Sequence, residues 1–293
     1  MDWAKAKTIL IAVFLAINVF LGYIIIGTNV GNIGYVDSEK VKKITDYLAE
    51  KNIMVKGQVP LKKTEMPLIT VKYKFFSKDD IVARFFMPDK KAVESVQGNT
   101  VTLKGDNLEI SIKDSRELQY LDNSIKPAAA IDEKTCSKNI EMLLNKLGLK
   151  VNTSIIRVEE LDGYRKFTYE QTFKGAPVFN SVMEFYVNDS GIHKARIVWF
   201  DTLKQVGRKD SVISPEIALL YLPEHYKEIA AAGVSVLDIK QGYYFGIGAS
   251  GQVDTSQVEE GTAFPVWKIT TDRDIIYINA HNEKVEGVEK ARK

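Results

Sequence analysis

The stretch YEQTFKGAPVFNSVMEFYVNDSGIHKARIVWF, residues 169–200, decides how the chain is read. Gly175-Ala176-Pro177 and Asn188-Asp189-Ser190-Gly191 are turn sequences, because glycine reaches backbone angles other residues avoid and proline cannot continue a ladder. Between them Phe179, Ser181, Met183, Phe185 and Val187 recur at period two. Successive strand side chains point to opposite faces, so these five share one face of a strand. The runs YRKFTYEQTF before and HKARIVWF after are strand-like too. The stretch therefore reads as consecutive antiparallel strands.

Upstream of IIRVEEL, Asp132 can cap a helix in which Ile140, Leu143, Leu144 and Leu147 form one stripe, and Gly148 can end it. Similar rounds flank this one. Earlier, a helix begins near Ser38 with Val41, Ile44 and Leu48 on one face. After breaks at Pro60 and Pro67 come the strand-like runs LITVKYKFF, IVARFFM, TVTLKG and LEISIK, with a turn at Asp106-Asn107. Later, Ser214-Pro215-Glu216 opens a helix with Ile217, Leu220 and Tyr221 as its apolar face. VSVLDIKQGYYFGI, FPVWKITT and DIIYINA follow, with turns at Asp272-Arg273-Asp274 and His281-Asn282-Glu283. Helices beside antiparallel sheets define an α+β fold. The expected division is a first extracytoplasmic α+β domain at 28–120 and a second at 128–293, the latter in two related units at about 128–207 and 208–293.

The N-terminus differs in kind. No charged residue occurs from Thr8 to Val36. Ile9 to Gly27 reaches ~28 Å as a helix, close to the ~30 Å hydrocarbon core of a bilayer. This exceeds the apolar run of a secretory signal, and no clean Ala-x-Ala site follows it. The expectation is a retained transmembrane helix at 8–27 behind a cytoplasmic tail at 1–7. Lys5 and Lys7 on the N-terminal flank, against an uncharged 27–36, put the bulk of the chain outside. Ala12 and Ala16 share one helix face, and Asn18 and Gly22 an adjoining one. Small residues let helices approach in lipid, and an amide can hydrogen-bond across to a neighbour. The alternative is that one Asn is tolerated and the small residues are incidental.

Lys and Arg number 40 against 38 Asp and Glu, so nothing suggests a nucleic-acid partner. The single cysteine, Cys136, excludes an internal disulfide and reads as a small core residue. His193, His225 and His281 make no HExxH or paired-ligand pattern, so no metal or other cofactor is expected. His193 and His281 read as exposed turn residues, and His225 with Glu228 as a pair on a solvated helix face. Gly246-Ile247-Gly248-Ala249-Ser250-Gly251 matches G-x-G-x-x-G, but the polar QVDTSQVEEG after it has no helical stripe, so a hairpin loop is expected. Asp79-Asp80, Glu159-Glu160 and Glu259-Glu260 read as solvated turns.

MDWAKAKTILIAVFLAINVFLGY resembles the start of the YycI family, and VKKITDYLAEKNIMVKGQVPLKKTEMPLITVKY is similar to that family's first ectodomain segment. The opening stretch, 169–200, is similar to its second and to PepSY-type sheets. The resemblance implies a single-span protein of a Gram-positive membrane. It would act with its relative YycH on the sensor histidine kinase of the essential cell-wall two-component system. The resemblance also implies that the span touches the kinase's spans, and it brings no catalytic residue. Two other readings stand beside a non-enzymatic regulator: a tethered extracytoplasmic ligand- or envelope-polymer-binding protein, and an extracytoplasmic hydrolase.

Overall fold

The computed structural model describes residues 36–62, 64–86, 92–128, 131–151, 154–227, 233–246 and 258–291, with Lys7, Ile11, 13–15 and 17–20. Helix α1 (Ser38–Glu50) begins at Asp37, whose carboxylate accepts from the Glu39 N–H, and buries Leu48. Strands β1 (Ile53–Val55) and β2 (Glu65–Tyr73) follow. Helix α2 (Lys78–Phe85) leads to β3 (Val93–Gln97), β4 (Thr100–Lys104), β5 (Leu108–Lys113) and β6 (Glu117–Asp122). Helix α3 (Glu133–Leu147) precedes β7 (Ser154–Leu161), β8 (Tyr164–Phe173), β9 (Ala176–Asn188), β10 (Gly191–Val198) and β11 (Phe200–Ser211). Short helices α4 (Pro215–Leu219) and α5 (Leu222–His225) come before β12 (Val234–Tyr244), β13 (Glu260–Thr271), β14 (Asp274–Asn279) and β15 (Val285–Lys290).

All these strands join one 15-stranded sheet that serves two hydrophobic cores. The first lobe packs α1, α4 and α5 with β2, β12, β13 and β14 around Leu48, Ile69, Trp267 and Ile269. The second packs α2 and α3 on β4, β5, β6, β8, β9 and β10 around Ile110, Leu118, Ile140, Met183 and Phe185. Each such side chain contributes about 1.5–3 kcal/mol by leaving water. Both cores draw on residues from 28–120 and from 128–293. The second lobe is an insertion between Tyr73 and Phe200, from which only the tip of the β8–β9 hairpin reaches back, burying Val178 in the first core with Phe173 and Ala176 packed against it. The two crossings touch, for Phe200 lies opposite Tyr73 and the Lys74 N–H donates to the Trp199 carbonyl at 2.8 Å.

Helix α3 forms as its sequence dictates. Asp132 accepts from the Thr135 N–H at 2.8 Å, Gly148 closes the helix at φ 68°, and Cys136, Ile140, Leu143, Leu144 and Leu147 are buried. Elsewhere the structure corrects expectation. IVARFFM is not a strand: Ile81–Phe85 complete α2, whose first turn carries Asp79 and Asp80 and whose last carries Arg84. These charges suit the helix dipole, and they place that acidic pair in a helix, not a turn. Pro67 does not break the chain ahead of β2 but lies inside it. There the register slips between Met66↔Asp210 and Leu68↔Val206, so the missing N–H falls in an irregular part of the ladder. Ile217 and Leu220 are 39% and 45% exposed, and Ala218, Leu219 and Leu222 are buried instead. The helix expected there is two short pieces, with Pro223 in the first turn of the second.

Phe179 also departs from its expected set. Ser181, Met183, Phe185 and Val187 are buried, but Phe179 is only half-buried. The β8–β9 ladder is interrupted between Glu170↔Val182 and Thr172↔Pro177. In this gap the two lobes are joined by side chains. The Gln171 amide donates to the Phe200 carbonyl at 2.9 Å, and its oxygen accepts from the Phe200 N–H at 3.2 Å and from Ser181 Oγ at 2.6 Å. Asn180 does the same for Phe245, donating to its carbonyl at 2.6 Å and accepting from its N–H at 3.4 Å. Beside this seam Tyr243 faces Val178. A Cβ on Gly242 would stand 2.5 Å from the Pro177 carbonyl oxygen and 2.7 Å from the Phe179 ring.

Gln171→Leu would strand the buried Phe200 backbone, at about 1–3 kcal/mol. Gly242→Ala would overpack the seam at a comparable cost. Thermal unfolding should show Tm falling by several degrees for each; an unchanged Tm would mean that the seam is not stabilising.

Candidate functional site

Strand alternation sorts the second lobe's sheet into two unlike faces. Directly opposite residues across β7, β8, β9, β10, β6, β5, β4 and β3 form the row Arg157–Thr168–Glu184–Arg196–Gln119–Ser111–Thr102–Ser95. Every member is polar. One residue along lies the row Ile156–Tyr169–Met183–Ile197–Leu118–Ile112–Val101–Val96, on the other face. That face receives α2 and α3; among the described residues the polar face carries no helix. In the first lobe Lys268 and Thr270 alternate with buried Trp267 and Ile269, Lys268 lies opposite Tyr277, and Ile275 lies opposite Glu289. The uncovered faces of the two lobes line a cleft of about 1080 Å³.

Most of its charges are paired across strands. Arg196 holds Glu117 in a fork, Nε to Oε1 at 2.8 Å and a terminal nitrogen to Oε2 at 3.2 Å. Burial pushes the Glu117 carboxyl up, but the bonds and charge of Arg196 outweigh this and hold it below the usual range. Arg157 meets Glu170 at 2.8 Å, and Lys166 meets Glu184 at 2.8 Å. Arg157 is half exposed, so its pair contributes on the order of 0–1 kcal/mol. Tyr244 and Tyr277 stack at 4.1 Å and 15°. Burial lifts both phenols, Tyr244 to about 12 and Tyr277 higher, so neither ionises near neutrality. Lys268 is set apart. Burial lowers its pKa, partly offset by Glu170 and Glu289, and its ammonium lies 5.0 Å from the centre of the Phe179 ring.

The residues singled out from the sequence lie elsewhere. Ala12, Ala16 and Gly22 fall outside the described residues, as does most of the span expected at 8–27. Asn18 is helical and exposed, and its amide donates to the Phe14 carbonyl at 2.8 Å. Among the described residues no helix is long and apolar enough to cross a membrane. His193 is not an exposed turn residue. It sits half-buried at a bulge in β10, bonded to the Asp122 carbonyl at 3.0 Å and stacked on Tyr164. His281 is half-buried in its turn. His225 faces Asp274 at 3.8 Å, whereas Glu228 lies outside the described residues. So does the G-x-G-x-x-G string beyond Gly246. Cys136 is fully buried and burial raises its pKa, which suits an inert core thiol. Among the described residues no group of three or more His, Cys, Asp or Glu could hold a metal ion. Sequence reasoning missed the cleft itself. Lys268 and Thr168 sit in ordinary alternating runs, and no local pattern marks them as facing the same space.

In class this is a sheet-dominated α+β protein with a charge-paired cleft between two lobes. The family model described as "YycI protein" matches residues 34–281, and the chain belongs to the YycI family. This is a regulatory family, not a catalytic one. A crystal structure of an uncharacterized protein from Eubacterium rectale ATCC 33656 is similar in fold, with TM-score 0.50 and 10% identity over 80% of this chain and 90% of that one. The Bacillus megaterium YpeB C-terminal domain is also similar, with TM-score 0.38 and 13% identity over 75% of this chain and all of that one (100%). No curated protein matches the chain.

A lysine whose folded pKa lies below its unfolded value binds fewer protons when folded. Between the two values stability therefore rises with pH. Lys268→Met should accordingly raise Tm at neutral pH, with the gain shrinking in alkali. Melting curves across that range check this; a lower Tm at neutral pH would contradict it.

Proposed function

We propose that this chain is a membrane-anchored, non-enzymatic regulator of a sensor histidine kinase in two-component signalling that controls cell-wall metabolism. It acts through a transmembrane helix at 8–27 and through an extracytoplasmic partner, a YycH-type sister protein. Its N-terminus lies in the cytoplasm and its α+β part outside. The observation that carries this reading is the family match over 34–281. The N-terminal side chains agree with it: Ile11, Val13, Phe14, Leu15, Ile17, Val19 and Phe20 are all at least half exposed, from 50% to 72%. A helix apolar on every side needs lipid or another helix around it.

Regulation needs no chemistry on this chain. A binder that contacts two kinase states unequally shifts their populations by that difference. Ala12, Ala16, Asn18 and Gly22 are the proposed contact face. Asn18 spends one amide hydrogen on Phe14, and its second hydrogen and its oxygen, with no other partner among the described residues, can serve a neighbouring helix. Such a bond contributes about 0.6–2 kcal/mol in a bilayer.

Co-purification with the kinase from detergent, comparing wild type with Ala12→Leu and Asn18→Leu, tests the contact face. Recovery should drop roughly three- to thirtyfold for Asn18→Leu, with loss for Ala12→Leu as well. Equal recovery of all three would remove the helix from the mechanism, and a freely soluble mature protein starting beyond residue 27 would remove the anchor.

A further inference from the structure

When the cleft's ion pairs have been drawn, one half-buried ammonium and one buried hydroxyl stand without a partner among the described residues; Lys113, also without an acid partner there, is exposed to solvent. Arg157, Arg196, Lys166 and Arg116 each lie within ion-pair distance of an acid. Lys268 has no such partner among the described residues, although it is half-buried against Phe179. Thr168 lies on the floor of the same cleft, 5% exposed, and its Oγ1 has no hydrogen-bond partner among the described residues. Both groups would be better satisfied in water, so each lowers the stability of the folded chain. Placed together in one concavity, such groups are the mark of a binding site.

Their chemistry selects the ligand. An ammonium offers only hydrogens, and the threonine hydroxyl has one to give, so the complement is an acceptor, charged at the Lys268 end. One negative charge balances the surroundings, because the cations Lys268, Lys240 and Arg157 act there together with the acids Glu170 and Glu289. The apolar part of the wall is Phe179, Val182, Val198, Ile275 and Tyr277, the last stacked on Tyr244. The volume of about 1080 Å³ suits a chain of drug-like size or somewhat longer.

We propose that the cleft binds an organic monoanion, its carboxylate or phosphodiester received by Lys268 and a second acceptor on the same molecule bonded by the Thr168 hydroxyl. This site does not depend on the kinase reading. It would give the chain a small-molecule input whether or not its N-terminal helix touches a kinase.

The test uses the full chain in detergent micelles with three probes: acetyl-Ala-Phe-Ala with a free carboxylate, the same peptide as its amide, and glycerophosphoglycerol. Titration calorimetry should show saturable binding of at least one anion, and anion affinity should fall about tenfold or more in Lys268→Met. Should the peptide acid bind, its amide should bind about tenfold or more weakly. Thr168→Val should weaken binding about threefold, and Lys268→Arg should retain it. On reductively ¹³C-methylated wild type, the Lys268 resonance should titrate at higher pH when the anion is present, a readout independent of whether any variant folds. Binding of only one anion assigns the acid group to that source. Peptide acid and amide binding equally well, anion affinity unchanged in Lys268→Met, a Lys268 titration that no anion moves, or no saturation by either anion at millimolar concentration would overturn the proposal.

Discussion

Two side-chain amides hold this molecule together at the place where backbone pairing stops. Gln171 and Asn180 each close a two-way hydrogen bond onto a single residue of the other lobe, Phe200 and Phe245. Each amide presents a donor and an acceptor side by side, as a peptide group does, so it can stand in for a missing strand. The Phe200 and Phe245 rings then meet Tyr73, at 4.6 and 5.8 Å, and the Arg116 guanidinium lies 5.0 Å over that tyrosine. A buried backbone left without such partners would cost more than the bonds contribute when made. The junction is therefore specified by hydrogen-bond satisfaction more than by apolar area.

That junction sets the angle at which two helix-free faces look at each other, and the cleft is the result. Its chemistry follows from alternation: a row of polar residues across the whole second lobe, one residue out of phase with a row of apolar ones. Cross-strand pairing neutralises most of the charge at little net gain in stability. Lys268 and Thr168 break the pattern of satisfaction, and local rules in natural proteins are broken mainly where something other than stability is served.

How far the fold could be read from sequence depended on the range of the interactions. Helix α3 was fully readable, because Asp132, Gly148 and the stripe Ile140, Leu143, Leu144 and Leu147 all act within a few residues of one another. The long strands β8, β9 and β10 were readable from period two. Helix α2 was not, because IVARFF is rich in β-branched and aromatic residues, and its helical signal lies in Ser77, Asp79 and Asp80 just ahead. Pro67 misled because a proline is a break only if its N–H is needed, and here the partner strand slips past it. The cleft could not be read at all. Which residues share it depends on β2 meeting β11 and β13, and β12 meeting β9, and no local spacing encodes that.

The nesting of one lobe inside the other has a consequence for how the chain reaches its native state. The pairing of β2 with β11 joins segments separated by everything from Lys74 to Trp199. Closing so long a loop from a disordered chain is entropically costly and slow. Yet most of that stretch folds onto a core of its own, only the tip of the β8–β9 hairpin around Val178 and the residues beside the two crossings packing on the first core, and its two ends emerge side by side, Lys74 bonded to Trp199. Once the inserted lobe has condensed, Tyr73 and Phe200 are neighbours and the long-range ladder zips as though it were a short hairpin. The inner lobe thus acts as a splint, turning the hardest topological step of the outer one into a local one.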